Sequence, residues 1–206
     1  MYTPRYYKNE NEAALHEFIR NNGFGILVSQ AGSRPWATHI PMVLRADGKT
    51  LTGHIARGNA QWKSWNDSEV LAIFQGPHTY VSSSWYDHEN APTWNYLAVH
   101  VYGTIAITQG DELLSDLKQL LDYYEKNSEH PVTIEGMSEK FLRQEIQGIV
   151  GFKIAITKIE SAFKLSQNRD DKNFNEVIHR LEQRADNNSH EVAREMRKLR
   201  PGLPPK

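Results

Sequence analysis

Residues 51–63, with the sequence LTGHIARGNAQWK, combine residue types and spacing that suit the binding of an anionic ligand. The segment begins as a β-type run and ends in a cluster of donors that starts at Arg57 and finishes at Lys63. An arginine guanidinium is a planar fork that matches two phosphate oxygens, and a lysine ammonium is a point charge. Gly58 lets the backbone approach a ligand closely or adopt positive φ. This order of residues predicts a site for a planar molecule that carries a phosphate.

Other chemistries have weaker signals in the sequence. The pattern at Arg57 is neither a Walker loop nor a dinucleotide fingerprint, and an arginine at a strand end is often only a solvated charge. There is no cysteine and no His-Glu-x-x-His motif, so a zinc site is not expected. The serines at 82–84 lack a Gly-x-Ser-x-Gly elbow, which favours a polar face or a row of ligand-facing hydroxyls over a nucleophile.

Composition limits the classes of partner. The formal net charge is −1 and the pI is about 6.8, so the broad positive field of a dedicated nucleic-acid binder is missing. Residues 170–206 hold eight Lys/Arg and seven Asp/Glu, and binding of DNA, although possible, is not supported by charge. No apolar run approaches the roughly 20 residues of a membrane span. Together with the lack of cysteine and of a secretory-type amino terminus, this favours a cytoplasmic protein without membrane contact.

The periodicity of apolar residues predicts an α+β protein that is mainly β. Alternating runs, an Asp47-Gly48 hairpin signal and a late strand after a helical stretch indicate a sheet that closes on itself. The preferred architecture is a small antiparallel β-barrel with a helical insertion and two C-terminal helices. The predicted strands cover 24–29, 36–45, 50–56, 70–75, 79–86, 93–108 and 150–159, and the predicted helices include 11–22, a helix capped by Asp111, 138–147 and two beyond residue 170.

Several segments, in order along nearly the whole chain, match a known family. They include GHIAR at 53–57, NAQW at 59–62, SSSWY at 82–86, PTWNY at 92–96, GIVGF at 148–152 and KLSQNR at 164–169. With these segments the sequence resembles the PaiB-type FMN-binding negative transcriptional regulators, which belong to the FMN-binding split-barrel superfamily. The resemblance implies a domain at 1–169 with an insertion at about 111–147, followed by a C-terminal helical extension at 170–206.

The resemblance also implies a homodimer that binds FMN at the subunit interface. Strand residues at 38–40 would line the isoalloxazine, strand residues at 54–56 would pass beside the ribityl chain, and the following loop would hold the phosphate. Two residues would reach in from the partner subunit, and a lysine with its neighbours would close the site. The implied cofactor-binding residues are Thr38, His39, Ile40, His54, Ile55, Ala56, Arg57, Asn59, Gln61, Trp62, Lys63, Trp94, Asn95 and Lys164.

Three functions follow from this resemblance. The first is control of transcription by an FMN-binding protein. The second is an FMN-dependent oxidoreductase that uses NAD(P)H, favoured by polar residues expected around the ring, namely His39, Ser82, Ser84, Tyr86 and Lys164. The third is haem handling, because related split barrels include haem-utilisation proteins. No residue stands out as a required catalytic acid or base.

Overall fold

The computed structural model describes residues 1–65 and 67–202. The strands are β1 (Phe24–Ala31), β2 (Arg34–Leu44), β3 (Thr50–Ala56), β4 (Glu69–Val81), β5 (Thr93–Thr108) and β6 (Ile149–Lys164). The α-helices are α1 (Glu12–Asn21), α2 (Gly110–Glu125), α3 (Glu139–Gln147), α4 (Asp171–Glu182) and α5 (Asn187–Leu199). No helix in these two described ranges is long and apolar enough to cross a membrane.

The six strands form a closed barrel in the order β1-β2-β3-β6-β5-β4, and the recorded strand pairs are antiparallel. The predicted fold class and the return of a late strand to the sheet are therefore confirmed. The barrel core contains fully buried apolar side chains from several strands, with Leu27, Leu51 and Phe152 among them. These residues alternate with more exposed ones along their strands, which is the period-two pattern of a sheet with one buried face.

The chain divides into two compact units, each built from separate parts of the sequence. The first unit, called here the helical unit, comprises residues 1–15, 75–99 and 160–206 and contains α4 and α5. The second, called the barrel unit, comprises residues 16–74 and 100–159 and contains parts of all six strands together with α2 and α3. The predicted division into a domain at 1–169 and an extension at 170–206 stays a prediction.

The hairpin between β2 and β3 forms as its sequence predicts. Gly48 has a φ of +67°, a conformation that favours glycine. The Asp47 carboxylate accepts hydrogen bonds from the backbone N–H groups of Lys49 and Thr50, at 2.8 and 3.0 Å. The turn therefore fixes the register in which β3 pairs back on β2, with Met42 opposite Gly53.

Pro41 marks the point at which β2 changes partner. The strand pairs with β1 as far as Phe24 opposite Pro41, and from Met42 onward it pairs with β3. A proline has no N–H for a ladder, so it is tolerated where pairing on one side ends. β2 continues through Pro41, which marks the transfer of pairing between its two neighbouring strands.

The predicted break between two strands at Gly76-Pro77 is wrong. Residues 69–81 form one continuous strand, and its recorded pairing with β1 covers only Leu71–Ile73. Pro77 lies beyond this pairing, so its missing N–H does not end the strand. The predicted strand at 79–86 is correspondingly shorter, because Ser83–Trp85 form a 3-10 turn capped by the hydroxyl of Ser82.

A charged cluster holds the helical insertion on the barrel. Arg45 donates to the carboxylates of Asp116 and Glu112, at 2.7 and 3.1 Å, and Lys153 donates to Glu112 at 2.9 Å. Asp116 is almost fully buried, and this burial raises the pKa of its carboxyl above the ordinary value. The predicted cap at Asp111 is wrong by two residues, since Gln109 is the N-cap of α2 and makes no side-chain capping bond.

Two terminal helices form beyond residue 170 as predicted, and each has an aspartate as its N-cap. Asp170 accepts a hydrogen bond from the Asn173 N–H at 3.0 Å, which identifies it as the N-cap of α4. The apolar face of α4, with spacing i, i+3, i+4 and i+7, is fully buried inside the helical unit. Its members are Phe174, Val177, Ile178 and Leu181.

Replacing Gly103 with alanine is expected to destabilise the barrel unit by about 3 kcal/mol. A Cβ atom at this position would lie 2.4 Å from the Ala155 carbonyl oxygen and 2.6 Å from Ile154 Cγ2, so β5 and β6 must separate to admit it. Urea unfolding followed by circular dichroism measures the loss. Gly58→Ala is the control, because a Cβ atom there would meet no atom of the described residues within 4 Å, and equal stabilities for the two variants would contradict the expectation.

Candidate functional site

The loop between β3 and β4 is anchored by Gln61, whose side chain is fully buried in the barrel unit. Its Nε2 donates to the Leu27 carbonyl (3.2 Å), the Ser29 hydroxyl (3.0 Å) and the Trp36 carbonyl (3.2 Å). Its Oε1 accepts a hydrogen bond from the Thr38 hydroxyl at 2.5 Å. With no exposed polar atom, Gln61 positions the loop, and its predicted direct contact with a phosphate is not supported by this geometry.

Asn59 completes the anchoring of the same loop. Its Oδ1 accepts from the Gln61 N–H at 3.1 Å, and its Nδ2 donates to the Thr38 hydroxyl at 2.9 Å. Asn59 is thereby the N-cap of a short 3-10 helix, Ala60–Ser64. The Thr38 hydroxyl joins both amide side chains, so β2 and the loop keep a fixed relation within the barrel unit.

Arg57 connects the loop to the end of α3. Its backbone N–H donates to the Gly148 carbonyl at 2.8 Å. Its guanidinium donates through Nε to the Gln147 carbonyl (2.6 Å) and through Nη2 to the Ile149 carbonyl (2.7 Å). A cation is favourable beside the carbonyls at a helix C-terminus. The side chain is otherwise exposed and has no carboxylate partner among the described residues, so part of its donor capacity remains available to an anion.

A recess of about 170 Å³ lies beside Arg57 in the barrel unit. Its lining includes Trp62, the first residue of α2 (Gly110) and Thr108. Thr108 is 2 % exposed, and its hydroxyl has no hydrogen-bond partner in the part of the chain that the structure describes. The first N–H groups of a helix are unpaired and attract anions, and none of the described side chains caps α2. The recess therefore offers donors from Arg57, Thr108 and α2.

Lys63 adds a second cation to the loop. Its side chain is exposed, its Nζ lies 6.0 Å from the Trp62 ring centroid, and it has no carboxylate partner within residues 1–65 and 67–202. The Trp62 Nε1 donates to the Arg57 carbonyl at 3.0 Å, which holds the indole against the loop. Asp111 and Glu112 in the first turn of α2 oppose an anion, but Glu112 is already paired with Lys153. The donor set fits a phosphate.

The three residues of β2 expected near a planar ring do not share a face. Thr38 is half-buried and points to the loop, whereas Ile40 is 6 % exposed and packs in the core. His39 is exposed on the opposite face, where its ring stacks on Phe24 with 6.4 Å between centroids. A flat ligand could therefore contact the His39 side chain together with the strand backbone, but not all three side chains. Their role at the ring stays a prediction.

The three residues of β3 also alternate. Ile55 is buried in the core, and Ala56 is exposed at the strand end. His54 is half-buried and lines a cavity beneath α2 and α3. Its ring makes no hydrogen bond within the described residues, and burial lowers the pKa of the imidazole below its ordinary value of 6.5. Only the backbone of this segment remains a candidate for contact with a ribityl chain.

Acidification should destabilise the protein partly through His54. Because its pKa is lower in the folded chain than in the unfolded chain, this residue's contribution to stability is present above pH 6.5 and is lost as pH falls through the folded pKa. We expect the free energy of unfolding to fall less between about pH 7.5 and about pH 5 in His54→Leu than in the parent protein. Urea unfolding at both pH values tests this, and identical pH dependences would contradict it.

Trp94 and Asn95 lie in the helical unit and differ sharply in exposure. Trp94 is 54 % exposed and contacts His78 and Tyr80, with ring centroids 6.2 and 6.0 Å apart. Asn95 is fully buried, and its amide exchanges hydrogen bonds with the Ser166 hydroxyl at 3.0 and 3.1 Å. Trp94 is therefore available to a partner subunit, whereas the predicted reach of the Asn95 side chain into a partner's site is not supported.

Lys164 is half-buried beside a second cation in the helical unit. Its Nζ donates to the Thr93 hydroxyl and lies 5.8 Å from the Tyr7 ring centroid. The pKa of Lys164 is lowered, mainly by burial and also by the charge of Arg169. Arg169 lies 5.0 Å over the Tyr86 ring. Neither cation has a carboxylate partner among the described residues, so this cluster can accept an anion.

Two buried donors accompany these cations. The Tyr86 hydroxyl and the Asn90 Nδ2 have no hydrogen-bond partner in the described part of the chain, although Asn90 Oδ1 accepts from Arg169 at 3.3 Å. Buried polar groups are normally satisfied, so an unmet donor is a candidate contact for a bound acceptor. Among the described residues, the cluster around Lys164 thus has two donors without an acceptor, and the recess beside Arg57 has one in the Thr108 hydroxyl.

Sequence reasoning missed Thr108, the start of α2, and Arg169 as contributors to a site. Thr108 had one usable signal, since it ends a long predicted strand directly before a Gln-Gly pair and a helix. Arg169 ends the KLSQNR segment, which matches the family. Of this segment, only Lys164 was named among the predicted site residues. Periodicity cannot show which hydroxyls remain unpaired.

Comparison with known proteins identifies the family of this chain. Residues 1–158 match the model of a family described as "Putative FMN-binding domain". The chain is also 43% identical over 196 residues to "Protease synthase and sporulation protein PAI 2" of Bacillus subtilis, a match that covers 94% of this chain and 95% of that protein. Both matches include the loop at 57–63.

Two solved structures share the fold of this chain. The FAD and heme binding protein from Mycobacterium smegmatis matches with a TM-score of 0.60 and 13% identity, over 77% of this chain and 73% of that one. The flavocytochrome Anf3 from Azotobacter vinelandii matches with a TM-score of 0.60 and 11% identity, over 79% and 72%. At these identities the likeness concerns the fold. Together with the family match and the Bacillus relative, it shows that this chain belongs to the PaiB-type FMN-binding family of split-barrel proteins.

Proposed function

We propose that this protein holds FMN in the barrel unit with the phosphate at the recess beside Arg57. The observation that carries the proposal is the recess itself, where an exposed guanidinium, the buried unpaired hydroxyl of Thr108 and the uncapped start of α2 converge. Trp62 forms part of its wall and Lys63 follows in the loop. FMN, when bound, supplies a ring that can accept and return electrons, while the protein supplies position and charge.

Comparison of FMN with riboflavin tests this placement. Both share the ring and ribityl chain, so only the phosphate differs. We expect FMN to bind at least about tenfold more tightly than riboflavin, because each hydrogen bond to a charged group contributes about 1.5–3 kcal/mol. Fluorescence titration of flavin-free protein gives both dissociation constants. Equal affinities would contradict a phosphate site at the recess.

We further propose that the protein is a homodimer with FMN at the interface. The support is a set of large side chains exposed on neighbouring strands of the barrel unit, namely Phe24 (67 % exposed) and Trp36 (40 % exposed), with His39 stacked on Phe24. Exposed aromatic residues are enriched at protein interfaces. Sedimentation equilibrium should give twice the chain mass, and Phe24→Glu should shift the mass toward the monomer. A monomeric parent protein would contradict the proposed homodimer.

A role in transcription, in the cytoplasm, is part of the same proposal and rests on membership of the family. It is more compatible with indirect regulation than with direct reading of DNA. Most cations of α4 and α5 are already paired with carboxylates. These pairs are Arg180–Glu176, Arg194–Glu191, Arg197–Glu182, Lys198–Glu195 and Arg200–Asp171. Titration of the protein with promoter fragments across a salt series tests direct binding, which would appear as affinity above that for competitor DNA.

An FMN-dependent oxidoreductase is the second candidate, and the cluster around Lys164 favours it. Two cations without a carboxylate partner among the described residues, and two unmet donors, would suit an anionic group on a substrate or nucleotide. NAD(P)H oxidation by FMN-loaded protein at a rate clearly above that of free FMN would support this function. A rate equal to that of free FMN would reject it. A haem titration without a Soret shift would likewise discard haem handling.

A further inference from the structure

The barrel unit contains a second, larger cavity beside the proposed FMN site, and the proposed FMN contacts leave its interior empty. Its volume is about 420 Å³, and it lies between β3, the start of β6 and the helical insertion. The lining is almost wholly apolar and includes leucines and an aromatic residue of α2 and the apolar face of α3. Cavities of about 300–1,000 Å³ with few polar groups are typical of small-molecule sites.

The roof of this cavity is underpacked. Helix α3 has no fully buried residue, although it is strongly amphipathic. Leu142 and Ile146 are only half-buried, and Phe141 is 47 % exposed at the cavity lip. An apolar helix face normally becomes buried against neighbouring side chains, because contact with water is unfavourable. Here that face meets open space, which a ligand of suitable size would fill.

The polar groups of the lining indicate the chemistry of the ligand. They are His54 at the strand wall, Glu145 on α3 and the hydroxyl-bearing Tyr124. Burial lowers the pKa of His54, so at neutral pH its imidazole is neutral and offers one donor and one acceptor. The lining contains one carboxylate and no lysine or arginine. An anionic ligand is therefore disfavoured, and an uncharged apolar molecule with one hydrogen-bonding group fits best.

The cavity shares a wall with the recess beside Arg57. Ile146 and Ile149 line both spaces. The guanidinium of Arg57 donates to the carbonyls of Gln147 and Ile149. Ile149 is one of the two shared residues, and Gln147 directly follows the other. Gln147 ends α3 and Ile149 begins β6, so the hydrogen bonds of Arg57 connect the recess to the chain segment that lines the cavity.

We propose that this cavity binds one small, uncharged, mainly apolar molecule, and that its occupancy changes the affinity of the recess for FMN. The ligand packs against α2 and α3 and makes its hydrogen bond to His54. The coupling to FMN rests on the proposed function, whereas binding in the cavity does not. By linkage, FMN must change the affinity of the cavity ligand by the same factor that the ligand changes FMN affinity.

The first experiment uses N-phenyl-1-naphthylamine, a neutral fluorophore with one N–H group that brightens in apolar surroundings. Full-length protein is titrated with the probe, both with FMN bound and after removal of FMN. We expect saturable binding of one probe per chain. Absence of saturable binding to either form would overturn the proposal. Failure to load FMN would reject the cofactor proposal alone, because the probe titration of the flavin-free chain still reports on the cavity.

Three variants locate the probe. Phe141→Glu places a charge at the cavity lip, and Leu142→Trp fills the space, so each should weaken probe binding by about tenfold or more. Val132→Glu is the matched control, because Val132 is 49 % exposed in the same insertion and does not line the cavity. Circular dichroism confirms that each variant is folded. Equal probe affinity in Phe141→Glu, Leu142→Trp and Val132→Glu would overturn the assignment.

The coupling is measured as the dissociation constant for FMN with and without saturating probe. We expect a change of about fivefold or more, with the reciprocal change in probe affinity. Arg57→Lys removes the guanidinium fork that joins the recess to α3. The effect of the probe on FMN affinity should therefore be smaller in this variant, while the probe still binds. An FMN affinity that is the same with and without probe would overturn the coupling.

Discussion

Replacing Arg57 with alanine is expected to lower the affinity of the protein for FMN by about 100-fold. The variant loses a charged donor beside the recess, and it also loses the bonds to the Gln147 and Ile149 carbonyls that fix the neighbouring end of α3. Each of these losses lowers the affinity for FMN. Fluorescence titration of flavin-free protein with FMN measures the change.

Two further variants separate charge from geometry at Arg57. Arg57→Lys keeps the positive charge without the planar fork and should fall between the parent protein and Arg57→Ala. Arg143→Ala is the control, since Arg143 is exposed on α3 and pairs only with Glu139 within the described residues. An Arg57→Ala protein that binds FMN as tightly as Arg143→Ala would show that the phosphate is held elsewhere.

Replacing Gln61 with leucine is expected to lower the free energy of unfolding by about 3 kcal/mol. Leucine fills a similar volume but removes four hydrogen bonds, which leaves the Leu27 and Trp36 carbonyls and the Ser29 hydroxyl without their donor. An unmet buried group costs more than the net contribution of one hydrogen bond. Urea unfolding of the flavin-free protein measures the loss, so that any effect on FMN binding is kept apart.

The control for Gln61 is Gln30→Leu on β1. Gln30 is exposed, and its replacement should change stability by less than about 0.5 kcal/mol. If Gln61→Leu were as stable as Gln30→Leu, the loop would not depend on the buried amide. FMN affinity should also fall in Gln61→Leu, because the loop carrying Arg57 and Lys63 loses its anchor.

The fold was largely predictable because its determinants are local. The Asp47-Gly48 turn, the alternation along β5 and β6 and the stripe of apolar residues in α4 each act over a few neighbouring residues. Pro77 misled the prediction, since a proline ends a strand only where its N–H would be needed for pairing. That depends on a distant strand, and the recorded pairing of β1 with β4 stops at Ile73.

The site was less predictable because its residues are defined by partners far away in sequence. Gln61 lies in a segment that resembles a phosphate loop, yet its side chain turns inward to reach β1 and β2. Asn95 likewise bonds Ser166, 71 positions away. Thr108 became a candidate only once its hydroxyl was found buried without a partner in the described structure. Residue type suggested which groups could bind, and packing decided which ones remain available.

The most direct test of FMN binding by this chain is the visible absorption spectrum of freshly purified full-length protein, with the released flavin quantified against the chain. We predict a flavin spectrum and, after addition of FMN, one FMN per chain. A colourless protein that also takes up no added FMN would contradict this prediction and would mean that this split barrel is used without the cofactor of its family.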